Sequence, residues 1–296
     1  MAKKFNLSQF NNQMRQQINK YNQEVNKINR EINRQINDQN RNIKQAIDKY
    51  NQAVRQHNAK VLQNRSRIQN ELHRLNSSSR ITITTTYRTS IMAMNTSYRA
   101  VSSDYDYLSN PTPFQDYVYS GIEQENANSL ETANVLTGEP QPVYVKYSLQ
   151  DTKIMNQLSN ISADLDNRWK GALFSLNPVN PDATRHLCTS TREIITEIID
   201  SKAKDQDVFA LFPTCEKTER GNATRKVKIG YFLHKKGFRD ENIEDFIEKD
   251  IDNILELFHL LNTGTHGEAG RYTFEKLSAI KKRVEDGLIF LCNIAS

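Results

Sequence analysis

Residues 241–261 read ENIEDFIEKDIDNILELFHLL and carry the most regular hydrophobic pattern in the C-terminal half of the chain. Their apolar side chains recur at steps of three and four, which places them along one side of an α-helix. These side chains belong to Ile243, Ile247, Ile251, Ile254, Leu255, Phe258 and Leu261. A helix with such a stripe has to bury it against other helices, so this segment predicts an all-α core.

Helical spacing also marks the segments on both sides of this helix. Asn180 is a suitable N-cap for one of them, and Pro181 suits its first turn. Trp169 lies in helical register with its apolar neighbours, so we expect it to be buried against the 241–261 helix. The other helices are predicted over residues 154–173, 181–202, 227–236 and 273–295. The five helices together predict a compact helical domain over residues 151–296.

The N-terminal quarter of the chain has the spacing of a coiled coil. From Met14 to Ile32 apolar residues alternate steps of four and three, Ile36 interrupts the alternation as a stutter, and the pattern returns as far as Leu75. We predict a coiled-coil helix within residues 1–78, roughly 100 Å long. Its seam must face another helix, so we expect self-association, as a homodimer, or packing against later helices of the same chain.

Residues 79–150 are harder to assign and are expected to connect the two helical parts. Residues 81–87 alternate β-branched or aromatic side chains with polar ones, which suits a short strand as well as a threonine-rich helix, and both alternatives stay open. A helix is predicted over residues 114–136, after a break at residues 110–113. The stretch GEPQP that follows is typical of a linker, and we expect the domain boundary near residue 150.

The net charge of +5 conceals two halves of opposite sign. Residues 1–80 hold 16 Lys and Arg against 5 Asp and Glu, whereas the rest of the chain holds 24 against 30. The basic half is compatible with nucleic acid as a partner, although a solvated helix surface is the plainer explanation.

The sequence lacks the motifs of several function classes, and we do not expect the protein to belong to them. No apolar run reaches the ~18 residues of a membrane span, and the N-terminus lacks the apolar core of a signal peptide, so we expect a cytoplasmic protein. Cys188, Cys215 and Cys292 show neither disulfide nor metal-site spacing. Phosphate-binding glycine loops, dinucleotide fingerprints and a Gly-flanked catalytic serine are absent, and we expect no metal and no cofactor.

Residues 260–272, LLNTGTHGEAGRY, join two of the predicted helices and hold three of the ten glycines of the chain. One interpretation is an ordinary turn between helices, with Gly264 or Gly267 as a C-cap and His266 at the surface. The other is a loop of fixed conformation that presents His266 to a substrate, with Glu268 available to orient the imidazole.

Four basic residues are candidates for binding a phosphate near this loop. Arg185 and Arg192 lie seven residues apart at the edge of the apolar side of the 181–202 helix, where packing can hold a guanidinium rigid. Arg225 and Lys228 begin the next helix, where backbone N–H groups also favour phosphate. For each of them an ion pair with a nearby carboxylate is the simpler role. With a histidine, which titrates near neutral pH, such cations suffice for metal-free cleavage of a phosphodiester by a substrate 2′-OH.

The same stretches resemble a known family. NPDATRHLCTSTREIITEII at residues 180–199, TRKVKIGYFL at 224–233 and LLNTGTHG at 260–267, followed by a closing amphipathic helix, resemble the predicted pPIWI-associating nucleases of prokaryotic conflict systems. The resemblance covers about residues 150–296. It implies a helical nuclease-like domain that acts on DNA or RNA, together with a partner protein of the defence system.

The arrangement is also similar to the HEPN ribonucleases, which are helical and use an Arg-(x)4–6-His motif. No arginine lies four to six positions before His266, so its partner would come from another helix, as Arg185 or Arg192. We therefore expect a nuclease effector of antiviral defence with these three residues as catalytic groups, and Arg225 and Lys228 as nucleic-acid-binding groups. The alternative is a non-enzymatic coiled-coil adaptor whose C-terminal domain binds a partner protein.

Overall fold

The computed structural model describes residues 7–77, 85–106, 108, 111–137, 148–263 and 272–296. Within these ranges the chain forms ten α-helices and no β-strand, which confirms the all-α prediction. The helices are α1 (Leu7–Ser77), α2 (Thr85–Asp106), α3 (Pro113–Leu136), α4 (Met155–Ile161), α5 (Ala163–Ser175), α6 (Ala183–Lys202), α7 (Asp205–Leu211), α8 (Arg225–Lys235), α9 (Glu241–Thr263) and α10 (Phe274–Ala295). None of the described helices is both long enough and apolar enough to cross a membrane.

Two compact units divide the chain, Met1–Lys60 and Val61–Ser296. In the first unit, helix α1 leaves its large apolar side chains in solvent, with exposed fractions from 37% at Val54 to 70% at Tyr50. We call this set the α1 seam: Leu7, Phe10, Met14, Ile18, Tyr21, Ile28, Ile32, Ile36, Ile43, Ile47, Tyr50 and Val54. The long N-terminal helix is confirmed, and the pairing of the α1 seam with another helix stays a prediction.

In the second unit, helices α2 and α3 share a core with α9 and α10. Helix α2 packs against α9 and α3, and α3 packs against α10. Tyr87 and Met94 of α2 and Leu130 of α3 are fully buried in this core. The segment expected to be a connector thus contributes two core helices, and the chain divides into its two compact units after Lys60. The domain boundaries near residues 78 and 150 stay a prediction.

The structure decides part of the open assignment before α2. Thr85 and Tyr87 lie within α2, so the strand alternative is wrong for them, whereas residues 78–84 lie outside the described residues. The predicted helix over residues 114–136 is confirmed as α3. Its N-cap Thr112 forms a reciprocal capping box with Gln115, which satisfies backbone N–H groups at the start of the helix.

Two of the differences from the predicted helix boundaries in the second unit have a local cause. The helix predicted over residues 154–173 is broken into α4 and α5, because Ser162 is extended, with φ −161°, and its Oγ accepts a hydrogen bond from the Asp164 N–H at 3.2 Å. Helix α6 begins at Ala183, after the N-cap Asp182. Asn180 caps the preceding turn instead, because its Oδ1 accepts from the Asp182 N–H at 3.0 Å.

Trp169 on α5 is fully buried, as predicted. Its Nε1 donates a hydrogen bond to Thr152 Oγ1 at 2.8 Å, so the polar edge of the indole is satisfied inside the core. Helix α5 packs chiefly against α4 and α6, instead of against the 241–261 helix that the sequence suggested.

Candidate functional site

The predicted arginine stripe of α6 is exposed. The apolar side of α6, which includes Leu187, Cys188 and Ile194, is buried, and it leaves Arg185 and Arg192 at the solvent-facing edge. Neither guanidinium makes an ion pair with any described residue. Both arginines are therefore available to an anionic ligand, and their role as catalytic groups stays a prediction.

Arg192 is held in place by an aromatic ring of α9. Its guanidinium carbon lies 5.7 Å from the centroid of the Phe258 ring. Phe258 itself is fully buried, so the ring is a fixed support. Such a cation–π contact is worth about 0.5–1 kcal/mol at an exposed site. The contact restricts the guanidinium without using its N–H donors, which stay available for a phosphate.

Cys188 and Tyr272 mark the neighbourhood of this arginine. Burial raises the pKa of the Cys188 thiol to about 12, although the positive charge of Arg192 works in the opposite direction. The pKa of Tyr272 is raised by burial and, in part, by the charge of the Cys188 thiolate. Phe258 contacts Arg192, and Tyr272 lies close enough to Cys188 for their charges to interact, so both rings lie near the middle of α6.

His266 and Glu268 fall among residues 264–271, which lie outside the described residues. Their assignment as a catalytic histidine and its orienting carboxylate stays a prediction.

Arg225 and Lys228 are engaged with carboxylates of their own chain. Arg225 forms an ion pair with Asp252 of α9. Lys228 Nζ lies 2.7 Å from Asp200 Oδ1 and 3.1 Å from Asp205 Oδ1, and the lysine is buried. Burial alone would lower the pKa of Lys228, but the hydrogen bonds that Lys228 donates to the two aspartates, together with their negative charges, offset this effect and the pKa is raised. The simpler role, an ion pair, is what both side chains show.

A buried polar network in the second unit was not foreseen from the sequence. Arg283 of α10 is fully buried. Its Nη1 donates to Glu125 Oε2 of α3 at 2.8 Å, and its Nη2 donates to Asp250 Oδ1 of α9 at 2.5 Å and to Asn253 Oδ1 at 3.1 Å. We call these four residues the Arg283 network. Ser129 extends it by donating to the same Asn253 oxygen at 2.9 Å.

The charges of the Arg283 network do not balance, because two carboxylates face one guanidinium. Burial raises the pKa of Glu125 well above its usual range, the nearby charge of Asp250 raises it further, and Arg283 opposes both effects. Burial likewise raises the pKa of Asp250. Among the described residues no group of His, Cys, Asp or Glu has the arrangement of a metal site. Full burial also keeps a substrate away, so the network holds the three helices α3, α9 and α10 together instead of forming an active site.

One signal in the sequence pointed to this network. Arg283 stands in helical register with Ile280 and next to Val284, on the apolar side of α10. A charged residue on an apolar stripe needs a buried partner. The partner on α3 is 158 residues away in sequence, so local patterns do not identify it.

The region from the end of α4 to the last turns of α10 contains Arg185, Arg192, Arg225 and Lys228, together with position 266. Residues 158–291 match a family model described as predicted pPIWI-associating nuclease. This confirms the resemblance for the C-terminal part of the chain. No curated protein and no solved structure matches the chain.

The pPIWI-associating nuclease match leaves out α1, α2 and α3. It includes Arg283 and Asp250 of the buried network, but the third charged member, Glu125, lies outside it. The core of the family segment in this protein is therefore completed by a helix that precedes the segment.

Proposed function

We propose that the protein is a nuclease effector of a prokaryotic antiviral system, working in the cytoplasm with a pPIWI protein as partner. The observation that carries the proposal is the match of residues 158–291 to the predicted pPIWI-associating nucleases. The exposed Arg185 and Arg192 on α6 support it, because they are not engaged in ion pairs with the described residues. The nuclease domain is proposed to span residues 151–296.

The proposed chemistry uses Arg185, Arg192 and His266. The two guanidinium groups bind the scissile phosphate and stabilise the charge that develops on it. With RNA, the 2′-OH oxygen attacks phosphorus and the bond to the 5′ oxygen breaks. His266 accepts the 2′-OH proton while water protonates the leaving 5′ oxygen, or it protonates that oxygen while water accepts the 2′-OH proton, and Glu268 orients its imidazole. The contact of Arg192 with Phe258 supports this role, since a restricted guanidinium loses less freedom on binding.

The test is cleavage of labelled RNA and DNA by the purified protein, with and without EDTA. His266→Ala is expected to lower the cleavage rate by about 10²-fold or more without changing the melting temperature. Arg192→Lys is expected to lose much of the activity, because an ammonium does not replace a two-pronged grip. His73→Ala, at an exposed histidine of α1, is the matched control and keeps full activity.

Three results would each contradict a part of this proposal. Full activity of His266→Ala removes the histidine from the site. Loss of cleavage in EDTA replaces the metal-free chemistry by a metal-dependent one. Cleavage of DNA and RNA at equal rates removes the 2′-OH as the nucleophile.

The exposed α1 seam supports a proposal on assembly. We propose that two copies of the chain pair through this seam, because its apolar side chains recur at the spacing of a coiled coil and are left in water in the single chain. The same observation favours the second candidate function, a non-enzymatic coiled-coil adaptor. A wild-type protein that assembles and binds its partner but cleaves neither RNA nor DNA would favour the adaptor.

A further inference from the structure

Basic residues of the acidic C-terminal half are concentrated in one segment. Residues 209–239 contain eight Lys and Arg, two Glu and no Asp, whereas residues 81–296 as a whole hold 24 Lys and Arg against 30 Asp and Glu. This segment covers the end of α7, the following turn, all of α8 and the residues just after it. An excess of positive charge of this kind attracts a polyanion.

Four of these eight cations make ion pairs within the fold. Arg239, just after α8, donates from Nε to Glu244 Oε1 at 3.2 Å. Arg225, Lys226 and Lys228, in the first turn of α8, pair with Asp252, Asp245 and two further aspartates respectively. They fix the start of α8 to its neighbours. The remaining cations lie in the turn before α8 and around its C-terminal end, and these are exposed.

The exposed cations lie over aromatic rings. Lys217 Nζ is 4.4 Å from the ring centroid of Phe209, and Arg239 Cζ is 4.9 Å from that of Phe212. The corresponding distances are 5.5 Å for Lys235 over Tyr231 and 5.8 Å for Lys236 over Phe114. Each of these rings is partly exposed. We call these four cations and four rings the cation–aromatic surface.

Two contacts between rings link parts of this surface. Phe212 lies three residues after Phe209 in the sequence, and its ring contacts the ring of His234, with centroids 5.7 Å apart. His234 precedes Lys235 and Lys236, and Phe114 under Lys236 contacts Phe238 at 6.0 Å. The surface therefore runs from the turn before α8 to the residues after α8, and Lys217, Lys235 and Lys236 make no ion pair with the described residues.

We infer that the cation–aromatic surface binds single-stranded nucleic acid. Proteins that hold single strands without sequence preference combine a basic track for phosphates with aromatic rings on which bases stack. A cation held over a ring by cation–π attraction can move to an adjacent phosphate and leave the exposed part of that ring to a base. A duplex keeps its bases stacked inside, so it would use the cations but not the rings. Only the statement that the bound strand is the substrate of the protein rests on the proposed function.

The experiment measures binding separately from cleavage. Fluorescence anisotropy with a labelled single-stranded oligonucleotide, RNA or DNA, is recorded for the full chain carrying His266→Ala, at several salt concentrations. The triple variant Lys217→Gln, Lys235→Gln, Lys236→Gln on the same background is expected to bind at least tenfold more weakly. Each phosphate contact contributes about 0.7 to the slope of log affinity against log salt, so the slope should fall by about two.

The matched control removes the same number of positive charges, three, from lysines of the first unit. Lys20→Gln, Lys44→Gln, Lys49→Gln neutralises three exposed lysines of α1 and is expected to keep the affinity. Phe209→Leu keeps an apolar side chain but removes a ring, and it is expected to weaken binding of the single strand severalfold. The same oligonucleotide annealed to its complement is expected to bind more weakly than the single strand.

Each outcome decides the inference. It is overturned if the α1 triple variant weakens binding as much as the surface triple variant, if neither triple variant weakens it, or if the duplex binds as tightly as the single strand. Loss of binding in the surface variant, together with a wild type that cleaves nothing, supports the surface and rejects the nuclease proposal. Cleavage that survives in the surface variant at saturating substrate supports the nuclease site and assigns the surface to binding alone.

Discussion

Helix α1 before residue 60 and helix α3 reverse the usual relation between polarity and burial. The first unit leaves Ile28, Ile47 and other seam residues in solvent, whereas α3 buries Glu125, Asn126 and Asn128 almost completely. The difference lies in what surrounds each helix. Helix α3 has polar partners on α2, α9 and α10, including Asn95, whose Oδ1 accepts from Asn126 Nδ2 at 3.1 Å. The pattern of apolar and polar residues in a helix therefore fixes which side chains share a face, but not whether other helices cover that face.

The largest expected effect is on the free energy of unfolding and comes from removing the guanidinium of Arg283, which pairs with Glu125 of α3. Arg283→Met leaves Glu125 and Asp250 buried without their guanidinium, and the free energy of unfolding is expected to fall by about 3–5 kcal/mol. Urea denaturation monitored by Trp169 fluorescence measures it. Adding Glu125→Gln and Asp250→Asn to Arg283→Met should recover part of the loss, because the uncompensated charges are gone. Arg168→Ala, an exposed ion-paired arginine of α5, is the control and should change stability little.

Replacing apolar side chains of the α1 seam by polar ones tests the part of the molecule where apolar side chains are exposed. Ile28→Asn together with Ile47→Asn is expected to lower the oligomeric mass, since each buried asparagine without a partner costs roughly 1–3 kcal/mol. Light scattering of the wild type and the double variant measures it. Asn29→Ala with Asn58→Ala, at polar positions of α1, is the control. A wild type that is monomeric at every concentration shows that the seam does not pair with a second copy.

A smaller effect is expected from pH. The folded-state pKa of Glu125 is raised, mainly by burial, so the folded protein binds more protons than the unfolded chain above the ordinary carboxyl pKa. Its stabilising contribution is therefore complete at acidic pH and is lost as the pH rises through the raised pKa. Asp250 and Asp286, which also have raised pKa values, act in the same direction.

The wild-type melting temperature should therefore fall between pH 5 and pH 8, and Glu125→Gln should make that fall smaller. Glu197→Gln, at an exposed position of α6, is the control and should leave the pH dependence unchanged. An equally steep fall in Glu125→Gln would show that Glu125 does not carry the effect.

Local patterns were enough to predict most helices and not enough to predict their partners. The periodic apolar residues of α1, α6, α9 and α10 are visible in the sequence because each helix has one apolar side, which is buried in α6, α9 and α10 and exposed in the α1 seam. The break at Ser162 was missed because apolar spacing continues across it, and α2 was left ambiguous because its first residues are rich in threonine. The position of Arg192 on its stripe followed from periodicity, but its contact with Phe258, 66 positions later, depends on the packing of α6 against α9.

The binding assignments of Arg225 and Lys228 show the same limit. Their position at the start of a helix indicated a place where an anion is favoured, and in the structure their side chains pair with the carboxylates of Asp252, Asp200 and Asp205. Those carboxylates lie on other helices, so sequence spacing did not show them. The exposed cations near the end of the same helix, Lys235 and Lys236, became distinguishable only when their aromatic supports were known.

The Arg283 network also limits how this protein can be recombined. The family segment of residues 158–291 holds two charged members of the network, the guanidinium of Arg283 and the carboxylate of Asp250. The third charged member, Glu125, belongs to α3, outside the segment. A fragment cut at residue 151 would expose the sides of α9 and α10 that α2 and α3 cover, and would open its central charge cluster to water. The segment is therefore not a transferable cassette, and a chimaera that exchanges it between proteins would have to exchange the two preceding helices with it.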